Sequence, residues 1–227
     1  MKDNLGDRIK SYENITRNYL TPNIPVFIRV DGKSFHTFTR HFEKPYDAYF
    51  INAMLVSAYK TAQEMMGFKV GFVASDEATF VLTDYDKIET QPWFGYNLSK
   101  LVSITASLMT VNFANFYPEY LPTFDARAFS VPKEDAINAL LWRAKDWERN
   151  SLQMYARAHF SHKELHGKNR SDIHEMLHNI GKNWTTDIKH KYRNGTFLYK
   201  DDTGINTTSL IEPSFQELNR MFCHHFI

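Results

Sequence analysis

The 227-residue chain has a single cysteine, Cys223, so it can form no intramolecular disulfide, which fits a reducing compartment. Long apolar runs are missing too. None approaches the ~18 residues of a membrane-spanning helix. The opening residues MKDNLGDRIK have no apolar core, so a secretory signal is not expected and a cytoplasmic protein without membrane association is. There is no internal repeat and no low-complexity stretch, which argues against a solenoid or a linker-rich array. Net charge is nearly absent as well, at +1.

Apolar and aromatic residues are plentiful. Hydrophobic residues make up 43% of the chain, and 18 Phe and 12 Tyr bring aromatics to 15%. That is enough for a sizeable core in one large domain or a domain with an appended lobe, and it argues against disorder. The small net charge conceals an uneven distribution. Residues 143–193 carry 11 Lys and Arg against 6 Asp and Glu, with six His, while both flanking sections are slightly acidic. This section is a candidate polyanion surface. A solvated helical face is the alternative.

The stretch from Val26 to Pro45, VFIRVDGKSFHTFTRHFEKP, carries the first chemical signal. Val26 to Val30 reads as a strand that ends on Asp31-Gly32. A carboxylate at a strand end beside a cationic, hydroxylated loop, Lys33-Ser34-Phe35-His36, suits a metal-bound triphosphate. An ordinary Asp-Gly turn would look the same. The second signal is Ser75-Asp76-Glu77, at hairpin spacing between apolar runs 69–74 and 78–82.

Taken in order, residues 1–23 predict a helical lead-in with Leu5, Ile9 and Tyr12 on one stripe. Asp47 predicts the N-cap of a helix running to about Met66. A second helix is expected from Asn97 to about Phe113, and a strand from Phe124 to Val131. Residues 24–131 thus read β-α-β-β-α-β, an α+β, ferredoxin-like unit. In that topology strand one pairs antiparallel with strand three. Asp31 and Asp76 then meet at one sheet edge, which is what a two-Mg²⁺ phosphoryl or nucleotidyl transfer site requires. The division expected is a catalytic part over 1–131 and a mostly helical, basic extension over 132–227 packed on it. That extension should comprise a helix from Pro132 through Trp142, a further helical stretch from Asp146 to Phe160, a strand near Gly195 to Tyr199 and a terminal helix.

Several motifs recur in family order: RVDGKSF-H at 29–36, KP at 44–45, SDE at 75–77, SK at 99–100, FDAR at 124–127, WR at 142–143, RNS at 149–151, GKNW at 181–184 and YRNGT at 192–196. This ordered set resembles the tRNA-histidine guanylyltransferase family, and within it the shorter guanylyltransferase-like branch of 3′-to-5′ RNA polymerases. The resemblance implies a palm-like domain that adds nucleotides to tRNA 5′ ends, with ATP activating a 5′-monophosphate and GTP or another NTP as the incoming substrate. It implies that Asp31, Gly32 and Asp76 hold two Mg²⁺ ions with support from Glu77. It also implies that Asp31, Gly32, Lys33, Ser34, Phe35, His36, Lys44, Ser75 and Asp76 line the nucleotide site, and that Lys100, Arg127, Arg143 and Asn150 meet triphosphate or tRNA. A homo-oligomer, a tetramer in this family, is implied as well. One departure stands out. Histidine-dedicated members carry a His-led motif where this chain has Glu148. That disfavours obligatory guanosine addition at position −1 of tRNA-histidine and favours template-dependent repair of 5′-truncated tRNAs. A palm-type nucleotidyl cyclase and a non-enzymatic RNA-binding module share the topology and remain competing readings.

Overall fold

A computed structural model describes residues 4–227. Helix α1 spans Asn4–Ile15 and buries none of its side chains. Strand β1, Val26–Gly32, leads through the one-turn helix α2, Phe35–Phe38, to helix α3, Ala48–Glu64. Asp47 caps α3, its carboxylate accepting from the Phe50 amide at 2.8 Å. Strands β2, Phe68–Ala74, and β3, Glu77–Leu82, form the hairpin around Ser75-Asp76. Helix α4, Leu98–Ala114, is capped by Asn97 and followed by strand β4, Phe124–Ser130. The order β-α-β-β-α-β is the ferredoxin-like palm unit that the sequence predicts.

The sheet has six strands in the order β4-β1-β3-β2-β5-β6. Strands β5, Thr196–Asp201, and β6, Gly204–Thr208, come from the C-terminal part of the chain and extend the palm sheet beyond β2. The polar run GINTT of β6 has no apolar alternation by which it could be anticipated.

The two helical stretches expected after Pro132 are one unbroken helix, α5, Ala136–Arg157. Pro132 precedes it by a 3-10 turn, Lys133–Asp135. No Gly or Pro interrupts α5, and its buried positions, Ile137, Leu140, Ala144, Trp147, Ser151 and Tyr155, step by three or four along one face. The short helices α6, His162–Leu165, α7, Arg170–Asn179, α8, Trp184–Asp187, and α9, His190–Arg193, follow. Helix α10, Phe215–Phe222, precedes a final 3-10 turn at Cys223–His225.

Each face of the sheet is covered differently. Val26, Ile28, Val30, Ala78, Phe80 and Leu82 point to the face carrying α3 and α4 and are fully buried there. Alternation sends Phe27 and Val81 to the other face, where they join Leu140 and Trp147 of α5 and Leu218 and Phe222 of α10. A third, smaller core joins Leu152 and Tyr155 of α5 to Ile173 and Leu177 of α7 and Trp184 of α8.

Gly195, at φ +76°, turns the chain into β5 where a β-carbon would stand 2.5 Å from the Phe72 ring and 2.9 Å from the Val73 carbonyl. Gly195→Ala is therefore expected to destabilise the fold by roughly 1–3 kcal/mol through combined backbone strain and overpacking. Urea unfolding at constant m-value checks it, and an unchanged midpoint would contradict the packing described.

Candidate active site

On the α5 face, three adjacent strands carry their side chains in matched rows. Phe27, Val81 and Phe129 form an apolar row at the far end. Arg29, Thr79 and Arg127 form the next, and Asp31, Glu77 and Asp125 form the last, at the sheet edge. Thus β1, β3 and β4 each pass from apolar to acidic along one face, while their other face is apolar or small throughout. Asp76 lies in the turn immediately before the acidic row, and its carbonyl accepts from the Gly32 amide at 3.0 Å. The antiparallel β1–β3 pairing therefore brings Asp31 and Asp76 to one edge across 45 positions of sequence.

Burial pushes the Asp31 carboxyl above its ordinary value, and repulsion from Asp76 and Asp125 pushes it the same way. Glu77 is also raised, by burial first, although Arg143 counters this. The Arg143 guanidinium binds Glu77 through Nε and a terminal nitrogen, each at 2.7 Å, and Arg29 lies 3.7 Å from the same carboxylate. Glu77 and Arg143, expected as metal support and phosphate contact, are thus committed to each other.

A cavity of about 540 Å³ opens over the acidic row, lined by Arg29, Asp31, Asp76, Glu77, Arg143 and Asn150. A second, of about 370 Å³, lies on the other side of Asp76, among His36, Lys44, Tyr46, Asp47, Arg157 and Tyr192. Ser75 and Asp76 line both, so the β2–β3 turn is the partition of one two-part cleft. Ser75 holds it in a left-handed conformation at φ 53°, a strained backbone for a non-glycine residue. Gly32 is needed for close approach, since a β-carbon there would meet the Phe35 ring at 2.4 Å.

The remaining expected residues separate into three groups. Lys33, Ser34 and His36 are exposed around the β1–α2 turn, and Lys44 reaches the smaller cavity with its ammonium donating to the Thr39 carbonyl at 2.9 Å. Phe35 is 2% exposed and packs among Phe38, Phe113 and Phe124, so it anchors the turn from the core. Lys100 is at the opposite end of the sheet. Its amide donates to Asn97, which pairs with Tyr19 next to the start of β1, and its ammonium lies over Phe94. Arg29, Asp125 and Tyr192 lie inside the sequence motifs without an expected site role, and Asp146 and Tyr46 lie outside them; Tyr46 and Tyr192 stack at 6.1 Å in the smaller cavity. Period-two alternation from Asp31 and Arg127 was the available signal for Arg29 and Asp125.

Glu148 faces α7, away from the cleft. It is buried, accepting from Lys145 at 2.9 Å and from Arg170 at 2.6 Å. Burial works to raise its carboxyl, but the bonds from Lys145 and Arg170 outweigh this and hold it below the ordinary glutamate value.

Among the described residues, no three His, Cys, Asp or Glu groups converge at metal-binding distance. The donors available at the edge are the carboxylates of Asp31 and Asp76, neither in an ion pair, and the Gly32 carbonyl. Such a set fits Mg²⁺, which keeps several waters and takes one or two carboxylates alongside substrate phosphates.

A palm sheet with paired carboxylates at its edge, opening on a two-part cleft, is an architecture suited to palm-type nucleotidyl transfer. A sequence model for the Thg1 family, tRNAHis guanylyltransferase, matches residues 6–132. The tRNA(His) guanylyltransferase of Schizosaccharomyces pombe is 34% identical over 154 residues, a match spanning 63% of this chain and 56% of the relative. A bacterial Thg1-like protein solved in complex with ATP superposes with a TM-score of 0.90 at 35% identity, over 98% of each chain. A bacterial Thg1-like protein in complex with GTP gives 0.83 at 33% identity, over 99% of each. The chain belongs to the Thg1 family of nucleotidyltransferases.

Two measurements follow from these electrostatics. A carboxyl whose folded pKa is raised costs stability above that pKa, and the cost fades as pH falls through it. Asp31→Asn should therefore leave the metal-free protein at least as stable as wild type at pH 7, while Mg²⁺ raises the melting temperature of wild type and not of the variant. An equal Mg²⁺ shift in both would exclude Asp31 as a ligand. Glu148, held low, has the opposite sign: it stabilises above its unfolded value and loses that contribution as pH falls through its folded one. Glu148→Gln should cost about 2 kcal/mol at pH 7 and progressively less towards pH 3. A pH-independent difference in urea unfolding would remove the ion-pair account.

Proposed function

We propose that this protein extends the 5′ end of tRNA in the 3′-to-5′ direction, adding the nucleotide that complements the opposing strand. The observation that carries the reading is the acidic row at the mouth of the cleft with a cationic row directly behind it. Asp31, Asp76 and the Gly32 carbonyl would hold two Mg²⁺ ions. When bound, the ions supply Lewis-acid stabilisation of attacking and leaving oxygens. Arg29 and Arg127 sit where they can face phosphate oxygens. The Glu77–Arg143 pair fixes the wall of the larger cavity, and Tyr46 with Tyr192 offers the smaller one an aromatic lining suited to a nucleobase.

In the first step an oxygen of the RNA 5′-monophosphate attacks the α-phosphorus of ATP and pyrophosphate leaves. The 3′-hydroxyl of an incoming NTP then attacks the activated 5′ phosphorus and AMP leaves. A 5′-triphosphate end can enter at the second step, with pyrophosphate leaving. The two cavities on either side of Asp76 provide room for an end and a nucleotide on one metal pair. ATP and GTP complexes of the two bacterial structural relatives support nucleotide binding at this fold.

Template dependence rests on the resemblance to the guanylyltransferase-like branch, with pairing to the opposite strand positioning the incoming base; Glu148, held by Lys145 and Arg170, directs no group at the cleft. The second reading, guanosine addition at position −1 of tRNA-histidine, is favoured by the name of the fission-yeast relative. A cytoplasmic setting agrees with the lone cysteine. A homo-oligomer, with the tetramer as its form, agrees with the exposed Leu5, Ile9 and Tyr12 of α1, apolar surface that such an assembly would cover.

The test uses tRNAs lacking one 5′ nucleotide, each NTP in turn and each opposing base. Wild type should add the complementary nucleotide on several tRNA species, and Asp31→Ala or Asp76→Ala should lose both steps by several orders of magnitude while remaining folded. Guanosine addition opposite adenosine, restricted to tRNA-histidine, would replace this reading with the second.

A further inference from the structure

The α5 face of the sheet is only half covered. Helices α5 and α10 bury Phe27, Val81, Phe72 and Phe197, but among the described residues none of β4, the edge strand beyond β1, is buried on that face. Its three residues on that face, Asp125, Arg127 and Phe129, are all exposed. Phe129 is 43% exposed although its inner side stacks on Phe27 at 5.8 Å, and the Arg127 side chain is 53% exposed. The strip they form runs into the acidic row at Asp31.

The flank of α5 borders the cavity over that row through Arg143, Asp146 and Asn150. There Trp142 is 56% exposed, and the Arg149 guanidinium lies 4.9 Å from its ring. Arg149 is not free to wander. It bonds Asp146 at 2.8 Å, and Asp146 lies 3.3 Å from Arg143, which holds Glu77. A chain of ion pairs thus ties the exposed tryptophan and its cation to the sheet edge where the carboxylates stand. An isolated exposed aromatic needs no explanation. Trp142 beside Arg149, and Phe129 on the same strand face as Arg127, whose guanidinium lies 3.5 Å from Asp125, stand on the two sides of the approach to the acidic row and form a stacking and phosphate-binding surface.

We propose that the uncovered β4 strip and the Trp142–Arg149 flank of α5 dock single-stranded RNA, namely the unpaired 3′ tail lying beside the 5′ end that is extended. Trp142 and Phe129 stack on its bases, and Arg149 and Arg127 meet its phosphates. The proposal rests on the tRNA-extension reading and adds to it the surface that orients the end over Asp31 and Asp76. Stacking tolerates any base, so the surface holds the tail without reading its sequence.

The experiment measures binding of a fluorescein-labelled tRNA lacking its first nucleotide, at fixed salt and Mg²⁺, alongside the same RNA without its 3′ tail. Trp142→Ala and Phe129→Ala should each weaken tRNA binding about ten-fold or more, Trp142→Tyr should retain it, and binding of a fluorescent ATP analogue should stay at the wild-type level in all three. Tail removal should weaken wild type to the level of Trp142→Ala and leave that variant unchanged. Unaltered affinity in both alanine variants, or a loss of equal size on tailed and tailless RNA, would overturn the proposal. So would a change in sedimentation of the RNA-free Trp142→Ala protein with unaltered RNA affinity, which would reassign the surface to contact between copies of the chain. Tail-dependent binding in a protein that adds no nucleotide would uphold this surface and remove the catalytic reading. Templated addition with wild-type affinity in both variants would do the reverse.

Discussion

Three carboxylates in register across three adjacent strands repel one another, and that repulsion shapes everything around the cleft. Asp31, Glu77 and Asp125 occupy one row at neighbouring-strand spacing, with Asp76 in the turn beside them. Charge so concentrated at a partly buried edge is unfavourable: burial first, then repulsion from Asp76 and Asp125, raises the Asp31 carboxyl, and burial raises Glu77 against the pull of Arg143. The protein offsets the cost selectively. Glu77 receives a bidentate arginine and becomes structural, whereas Asp31 and Asp76 are left without a cationic side chain of their own. In the proposed function, the two Mg²⁺ ions would supply that missing positive charge.

The same division runs through the sheet. One face is a continuous apolar surface against α3 and α4, which gives the strands a rigid backing. The other is apolar mainly where α5 and α10 cover it, with Phe129 exposed beyond them. Reactive groups therefore sit on regular strands whose register is fixed by the opposite face, and a slip of one residue would turn every buried side chain outward. The β2–β3 turn carries the strain, in Ser75, at the point where two cavities meet. Placing a strained residue on a two-residue turn between two well-packed strands lets the surrounding structure enforce it.

Much of this was legible because period-two alternation and turn chemistry act locally. Val26 to Val30, the Ser75-Asp76 turn and the Asp47 cap announce themselves within a few residues. Strand pairing then brings Asp31 and Asp76 together once the topology is known. What stayed hidden depends on the rotation and direction of helices. Arg143 reaches Glu77 across 66 positions because α5 turns that side to the sheet, and no spacing in the sequence encodes it. Lys100 belongs to a motif that looks catalytic. But α4 starts at the end of the sheet remote from Asp31, so its first turn is carried away from the site. Glu148 reads as a change of chemistry in the cleft, yet it is a tie between α5 and α7. Strand β6 escaped notice because it is a short edge strand, paired with β5, whose one apolar side chain, Ile205, sets up no alternation.

The strand that covers the outer edge of β2 is β5, which lies roughly 120 positions further along the chain. A ribosome making about 5–20 residues per second leaves that edge open for roughly 6–25 seconds after β2 has emerged. In that interval the nascent palm unit presents an apolar strand with unpaired amides and carbonyls, the kind of template on which chains associate wrongly. A sheet whose reactive half is assembled early and whose last two strands arrive late thus has its risk of misassociation concentrated during synthesis.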